Sequence, residues 1–221
     1  LLQGDAIVAE GSGVTVDRNI VTVTDAGVYT ISGSLANGQI VVDTEDEEAV
    51  RLILNGVKIH NETGAAIAVL KAEQAVIELA DGTNSVLSDG AEYVFADPEE
   101  DEPNATLFSK ADLLIEGAGG LTVKANYNDG IGGKDDVVIR GGLLDVTAVD
   151  DGIRGKDSLT IEGGSITVIA QGDGLKSDND EDAEKGIITI QAGEVQITAG
   201  SDALQAETNI SIIDGAFVLT A

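Results

Sequence analysis

Residues 149–158 read VDDGIRGKDS, and close variants flank them: YNDGIGGKDD at 127–136 and QGDGLKSDND at 171–180. Aligned on the Asp-Gly pair, these stretches head a repeat. Asp129-Gly130-Ile131 is followed by Val137, Ile139, Gly142, Leu144, Val146 and Ala148. Asp151-Gly152-Ile153 is followed, 22 residues on at every position, by Leu159, Ile161, Gly164, Ile166, Val168 and Ala170. The third unit, from Asp173-Gly174-Leu175, takes an insertion of seven residues and resumes at Ile188, Ile190, Gly193, Val195, Ile197 and Ala199. A fourth begins at Asp202-Ala203-Leu204 and runs to Ala221, and looser copies lie upstream. Self-similarity at a fixed short period is the mark of stacked units that bury their apolar faces on one another.

Within a unit the apolar residues alternate, as in Leu159-x-Ile161 and Ile166-x-Val168, and Gly-Gly or Asp-Gly pairs interrupt them. Period two with β-branched residues means short strands separated by tight turns. No stretch sustains a helical period. The expected fold is therefore all-β: a single-stranded parallel β-helix of about 22 residues and three short strands per coil. A two-sheet β-sandwich would also yield many short strands. One domain over 1–221 is expected, with acidic loop excursions at 89–104, which holds both prolines, Pro98 and Pro103, and at 180–186.

Composition bounds the function. Twelve Lys and Arg face 40 Asp and Glu, a formal charge of −28. Such a polyanion repels nucleic acid and anionic membranes and attracts cations. Yet 43% of residues are hydrophobic, so the charge sits on a folded body. Absence of Cys excludes disulfides, thiolate zinc sites and a cysteine nucleophile. The longest wholly apolar run, Ala65 to Leu70, is too short to span a membrane. The chain starts at Leu1 and holds no Met, so a leader is expected to be missing from it.

Stacked strands lie about 4.8 Å apart, so equivalent acids of successive units form ladders. Asp129, Asp151, Asp173 and Asp202 make one, with Asn128 and Asp150 beside it. Asp135, Asp157 and Asn179 make a second, beside Asp136, Ser158 and Asp180. Carboxylates at that spacing repel by about 1 kcal/mol even in bulk water, so a positive charge is required among them. Lys134, Lys156, Arg154 and Lys176 could supply it as a salt-bridged rim. The alternative is Ca²⁺, a hard cation that takes carboxylate, carbonyl and water oxygens. The patch Asp178 to Asp182 has more acids than its nearby Lys185 can neutralise, which favours calcium. The expected ligands are Asn128, Asp129, Asp135, Asp136, Asp150, Asp151, Asp157, Asp173, Asp178, Asn179, Asp180 and Asp202. Zinc and copper are disfavoured by a donor set without Cys or clustered His.

The pattern D-G-I-x-G-K-D-x-[LV]-x-I-x-G-G between 128 and 180 resembles a family of secreted bacterial carbohydrate-binding domain-containing proteins. The resemblance implies a right-handed coil like that of pectate lyases, bound calcium and an extracellular role on plant cell-wall polysaccharide. Two readings follow from different classes. A binding module would hold acidic chains such as pectin through calcium bridges, or cellulose through aromatic rings. Tyr127 is then the sugar-stacking candidate, with Arg154, Lys156 and Lys176 as polar contacts. A polysaccharide lyase would use one of Lys134, Lys156, Arg154 or Lys176 as base, but these bases repeat with the scaffold and stand among acids that keep them protonated. An adhesin stalk stabilised by calcium is a third reading.

Overall fold

A computed structural model describes residues 1–4, 6–95, 97 and 99–221. Pro98 lies outside the described residues. Among these the regular structure is strand throughout, and no helix is present that could cross a membrane.

Twenty-five strands among the described residues form two sheets, one of 16 strands and one of nine. The strand Val50–Asn61 organises the larger. Its first half pairs in parallel with Gln74–Leu79, and its second half with Asn84–Asp89. From the first half a ladder runs through Asp112–Gly117, Asp136–Ile139, Ser158–Ile161 and Ile187–Ile190 to Asn209–Ile212. From the second, a ladder runs through Gly120–Lys124, Leu143–Ala148, Ser165–Ala170 and Glu194–Thr198 to Ala216–Thr220. The smaller sheet stacks Gln39–Asp43, Ile67–Lys71, Ala105–Ser109, Asp129–Gly133, Ile153–Gly155, Leu175–Ser177 and Leu204–Ala206. It is mixed, because Val14–Asp17 and Ile20–Val23 pair antiparallel at its other edge.

This arrangement corrects the expected single-stranded right-handed parallel β-helix. The chain is a sandwich-like all-β fold of two sheets, not a ribbon with three separate strand faces. The physical reason lies at Gly56, whose φ of +64° opens a corner that a residue with a Cβ rarely adopts. The burial alternation slips by one there, from Val50, Leu52 and Leu54 to Val57 and Ile59. The strand therefore turns without ending, and two of the three expected faces become one sheet. Later units place Gly117, Gly142, Gly164, Gly193 and Gly215 at comparable corners, all with positive φ.

The 22-residue spacing survives as pairing register: Ile131 lies against Ile153, Val137 against Leu159, and Leu144 against Ile166. The insertion shifts the next pairings by seven, to Leu159 against Ile188. Inward residues of these ladders form one continuous apolar core. At roughly 25 cal/mol per Å² of apolar surface removed from water, that core is the main stabilising term.

Candidate carbohydrate and cation site

The Asp of each Asp-Gly pair enters the strand of the smaller sheet and is almost fully buried in three units: Asp129, Asp151 and Asp173. Each carboxylate caps the next unit. Asp129 Oδ1 accepts the backbone N–H of Asp151 (3.2 Å), Asp151 Oδ1 that of Asp173 (2.8 Å), and Asp173 Oδ1 that of Asp202 (3.0 Å). A buried N–H without a partner is costly, so one Asp per unit satisfies a donor that the turn leaves free. The remaining oxygens meet cations. Lys176 Nζ lies 2.9 Å from Asp151 Oδ2 and 3.0 Å from Asp173 Oδ2. Arg154 grips Asp178 with two nitrogens, at 2.8 and 3.0 Å, and stands 4.0 Å from Asp129 Oδ2.

At the head of the ladder this neutralisation is incomplete. Ligand oxygens of Asp129, Asp150 and Asp151 lie within 4.8 Å of one another, the only such acidic group among the described residues. Asp150 is exposed, and among the described residues its carboxylate has neither hydrogen bond nor ion pair. A Cβ on Gly172 would stand 2.5 Å from Asp150 Oδ1 and 2.7 Å from Asp151 Oδ1, so a glycine there keeps the space beside both oxygens open. Hard oxygen donors around a cleared space fit a cation such as Ca²⁺, which takes about six to eight oxygens.

Burial, then the neighbouring Asp151 charge, pushes the Asp129 pKa up to about 7. The N–H of Asp151 and the Arg154 guanidinium oppose that rise without cancelling it. Asp150 is raised as well, by partial burial and by Asp151. The folded state thus holds its proton to higher pH than an unfolded Asp, whose pKa is about 3.9. Between those values the native state binds more protons than the unfolded state, so stability falls as pH rises. In chelator we expect the melting temperature to decline from about pH 4 to about pH 7. Asp129→Asn keeps an acceptor for the Asp151 N–H and removes this titration. The variant should show a shallower decline and melt roughly 5 °C higher above pH 7, at about 2–4 °C per kcal/mol for this chain length. Parallel wild-type and variant curves in differential scanning calorimetry would contradict the assignment.

The second expected ladder is brought together but is closed by protein donors. Asp157 accepts from Asn179 Nδ2 (2.6 Å) and Lys185 Nζ (2.5 Å), and Asp136 accepts from Ser158 Oγ (2.7 Å). Asn179 Oδ1 accepts the N–H groups of Glu181 and Asp182, which pins the inserted loop. Asp135 is half-buried, and burial with the Asp157 and Asp112 charges raises its pKa. Asp180 and Asp202 are exposed, and Asn128 offers its backbone carbonyl to the Asp150 N–H. Lys134 and Lys110 pair with Glu102 of the 89–104 loop, while Lys156 makes no ion pair among the described residues.

Tyr127 precedes this ladder and is not a free platform. Tyr93 stacks on it with ring centres 4.1 Å apart at 12°, and Phe95 meets its edge at 6.4 Å. Both partners come from the acidic 89–104 loop. Asp89, 1% exposed, anchors that loop: it accepts from Tyr93 Oη (2.6 Å), Thr106 Oγ1 (2.7 Å) and the backbone N–H of Asn126 (2.6 Å). Burial, followed by the Asp89 charge, raises the Tyr93 phenol far above its ordinary pKa, so it stays a donor. Sequence reasoning missed Asp89. Its signal was an Asp-Gly pair at 89–90 followed four residues later by Tyr93.

A family model described as carbohydrate-binding domain-containing protein matches residues 17–221. The chain belongs to this family. A relative of that description from Acetivibrio thermocellus is 45% identical over 136 residues, which are 62% of this chain and 48% of the relative. The chain spans about half the length of the curated relative it matches. A solved structure, described as the polysaccharide lyase-like protein from C. thermocellum in a gadolinium derivative, is 36% identical with a TM-score of 0.91. The alignment covers 96% of each chain, so the two-sheet architecture is shared over nearly the full length.

Proposed function

We propose that this protein is a non-catalytic carbohydrate-binding protein that acts outside the cell on plant cell-wall polysaccharide, with calcium held at the head of its Asp ladder. The observation that carries the calcium role is the Asp129–Asp150–Asp151 group, which Gly172 leaves uncrowded. Bound there, Ca²⁺ would neutralise the acids and offer open coordination positions to the carboxylates of a sugar such as polygalacturonate. Without it a chain of charge −28 repels an acidic polysaccharide. The gadolinium derivative of the solved relative is in keeping with this, since a lanthanide is also a hard cation that seeks oxygen.

Elimination chemistry is a poorer fit at Lys176 and Arg154, the candidate bases that pair with the Asp ladder and Asp178. A lyase base must shed its proton near neutral pH. Burial works to lower the Lys176 pKa, but its hydrogen bonds to Asp151 and Asp173 override that and raise it well above the ordinary lysine value. Arg154 is likewise raised against the effect of burial by its pairing with Asp178. Both cations serve the scaffold and are held charged.

The test is an adsorption isotherm on insoluble pectate with calcium and with chelator. Calcium-dependent retention is expected, and Asp150→Asn should weaken the calcium requirement's midpoint by at least about tenfold. Equal retention in chelator would remove calcium from the account, and an unchanged midpoint in the variant would remove it from this site.

A further inference from the structure

Away from the Asp ladder, a groove of about 400 Å³ runs between the 89–104 loop and the smaller sheet near Gln39 and Ile67–Lys71. Its volume lies within the range of about 300–1,000 Å³ typical of small-molecule sites. Two kinds of surface line it. One is a row of carboxamides at turns and strand ends: Asn19, Asn37, Gln39 and Asn61. The other is apolar: Phe95, with Ile20, Leu70 and Val94, which are 39%, 39% and 74% exposed.

The carboxamides are fixed before any ligand arrives. Gln39 Nε2 and Asn61 Nδ2 both donate to the Ala65 carbonyl, at 2.9 and 2.8 Å. Asn61 Oδ1 accepts the Thr63 N–H at 3.2 Å. Asn37 donates to Glu62 Oε2 at 3.0 Å and accepts the Glu62 N–H at 3.1 Å. Each amide NH₂ carries two donors, so one hydrogen bond orients the group and leaves a proton for a ligand. Groups already held in place lose little entropy on binding. The aromatic wall is held as well, because Phe95 packs on the Tyr93–Tyr127 stack that Asp89 anchors.

The charges decide the ligand class. No Lys or Arg is among the described lining residues, whereas Glu100 and Glu102 are. Lys134 and Lys110, which reach the lining residue Glu102, are committed to it. An anionic ligand would meet repulsion there, and the set contains no cluster able to hold a bridging metal. Carboxamides that both donate and accept suit hydroxyl groups, and an aromatic ring with aliphatic neighbours suits the C–H face of a pyranose.

We propose that this groove seats a segment of neutral polysaccharide without metal, so that the molecule carries two carbohydrate surfaces of different chemistry. This rests on the carbohydrate-binding reading above and assigns a second place and a second sugar class to it.

Isothermal titration in chelator with cellohexaose, xylohexaose and mannohexaose tests the inference. At least one should bind the wild-type protein, and Phe95→Ala should weaken that binding by about tenfold or more. Val94→Lys, at a highly exposed position where folding is not at stake, should do the same by obstructing the groove. Retention on pectate with calcium is measured in parallel. Unchanged affinity in both variants would overturn the groove and leave the carbohydrate reading standing. So would pectate retention with none of the three hexasaccharides bound. Failure of the wild type on every polysaccharide would overturn both.

Discussion

Asp89→Ala is expected to unfold at a clearly lower urea concentration, with a loss of about 3 kcal/mol or more. The carboxylate is 1% exposed and takes hydrogen bonds from Tyr93, Thr106 and the Asn126 backbone. Thr106 is wholly buried, so its hydroxyl cannot turn to water when the acceptor is removed. Each donor stranded in this way costs about 1–3 kcal/mol. Asp89→Asn keeps one oxygen at the same place and should lose less than half as much. Function should follow stability here. Tyr93 lines the groove and links Asp89 to the ring of Phe95, so Asp89→Ala should also weaken hexasaccharide binding in chelator under conditions where the variant remains folded. A midpoint unchanged from wild type would show that the loop is anchored elsewhere.

Gly152→Ala should cost about 1–3 kcal/mol, although its φ is not among the positive ones. A Cβ there would lie 2.2 Å from Val168 Cγ1 and 2.5 Å from the Gly174 carbonyl. The same collision awaits Gly130, against Val146 and the Gly152 carbonyl, and Gly174, against Ile197 and the Ala203 carbonyl. The repeated glycine is thus a matter of close approach between successive units. In the last unit the equivalent residue is Ala203, which is half-buried and tolerated. Ala203→Gly is therefore expected to change stability by no more than about 0.5 kcal/mol, which makes it the internal control. Chemical denaturation of the two variants side by side reads the contrast, and equal losses would contradict it.

These two residues also answer why Asp and Gly recur together. The Asp caps the N–H of the next unit, and the Gly lets that unit approach. The repeat was legible because both requirements fall on every unit at the same place, and the inward Val, Ile and Leu ladders follow from the period-two pattern. What misled was the corner. Gly142 and Gly164 mark a break between strands in sequence, and nothing in their spacing says whether the sheet also breaks. In the strand Val50–Asn61 a single Gly56 turns the chain while its hydrogen bonding continues, which joins two expected faces into one sheet.

The candidate site divides in the same way. Asp129, Asp150 and Asp151 are neighbours by register, so their meeting could be foreseen from the repeat. The Gly172 space beside them could not, because it depends on backbone approach from the following unit. The positions of Tyr93 and Phe95 depend on a loop that departs from the repeat, and a period carries no information about an excursion. Phe95 and the carboxamides Asn37, Gln39 and Asn61 lie in different units and meet only when the loop returns across the sheet.

The most direct test of the central claim follows the wild-type protein on pectate and on cellulose in one experiment, with the supernatant read by ultraviolet absorbance for unsaturated uronides. Binding without catalysis predicts calcium-dependent retention on pectate and a flat absorbance trace on both polysaccharides. A rising trace that depends on calcium would contradict it and make Lys134, Lys156, Arg154 and Lys176 the first residues to replace.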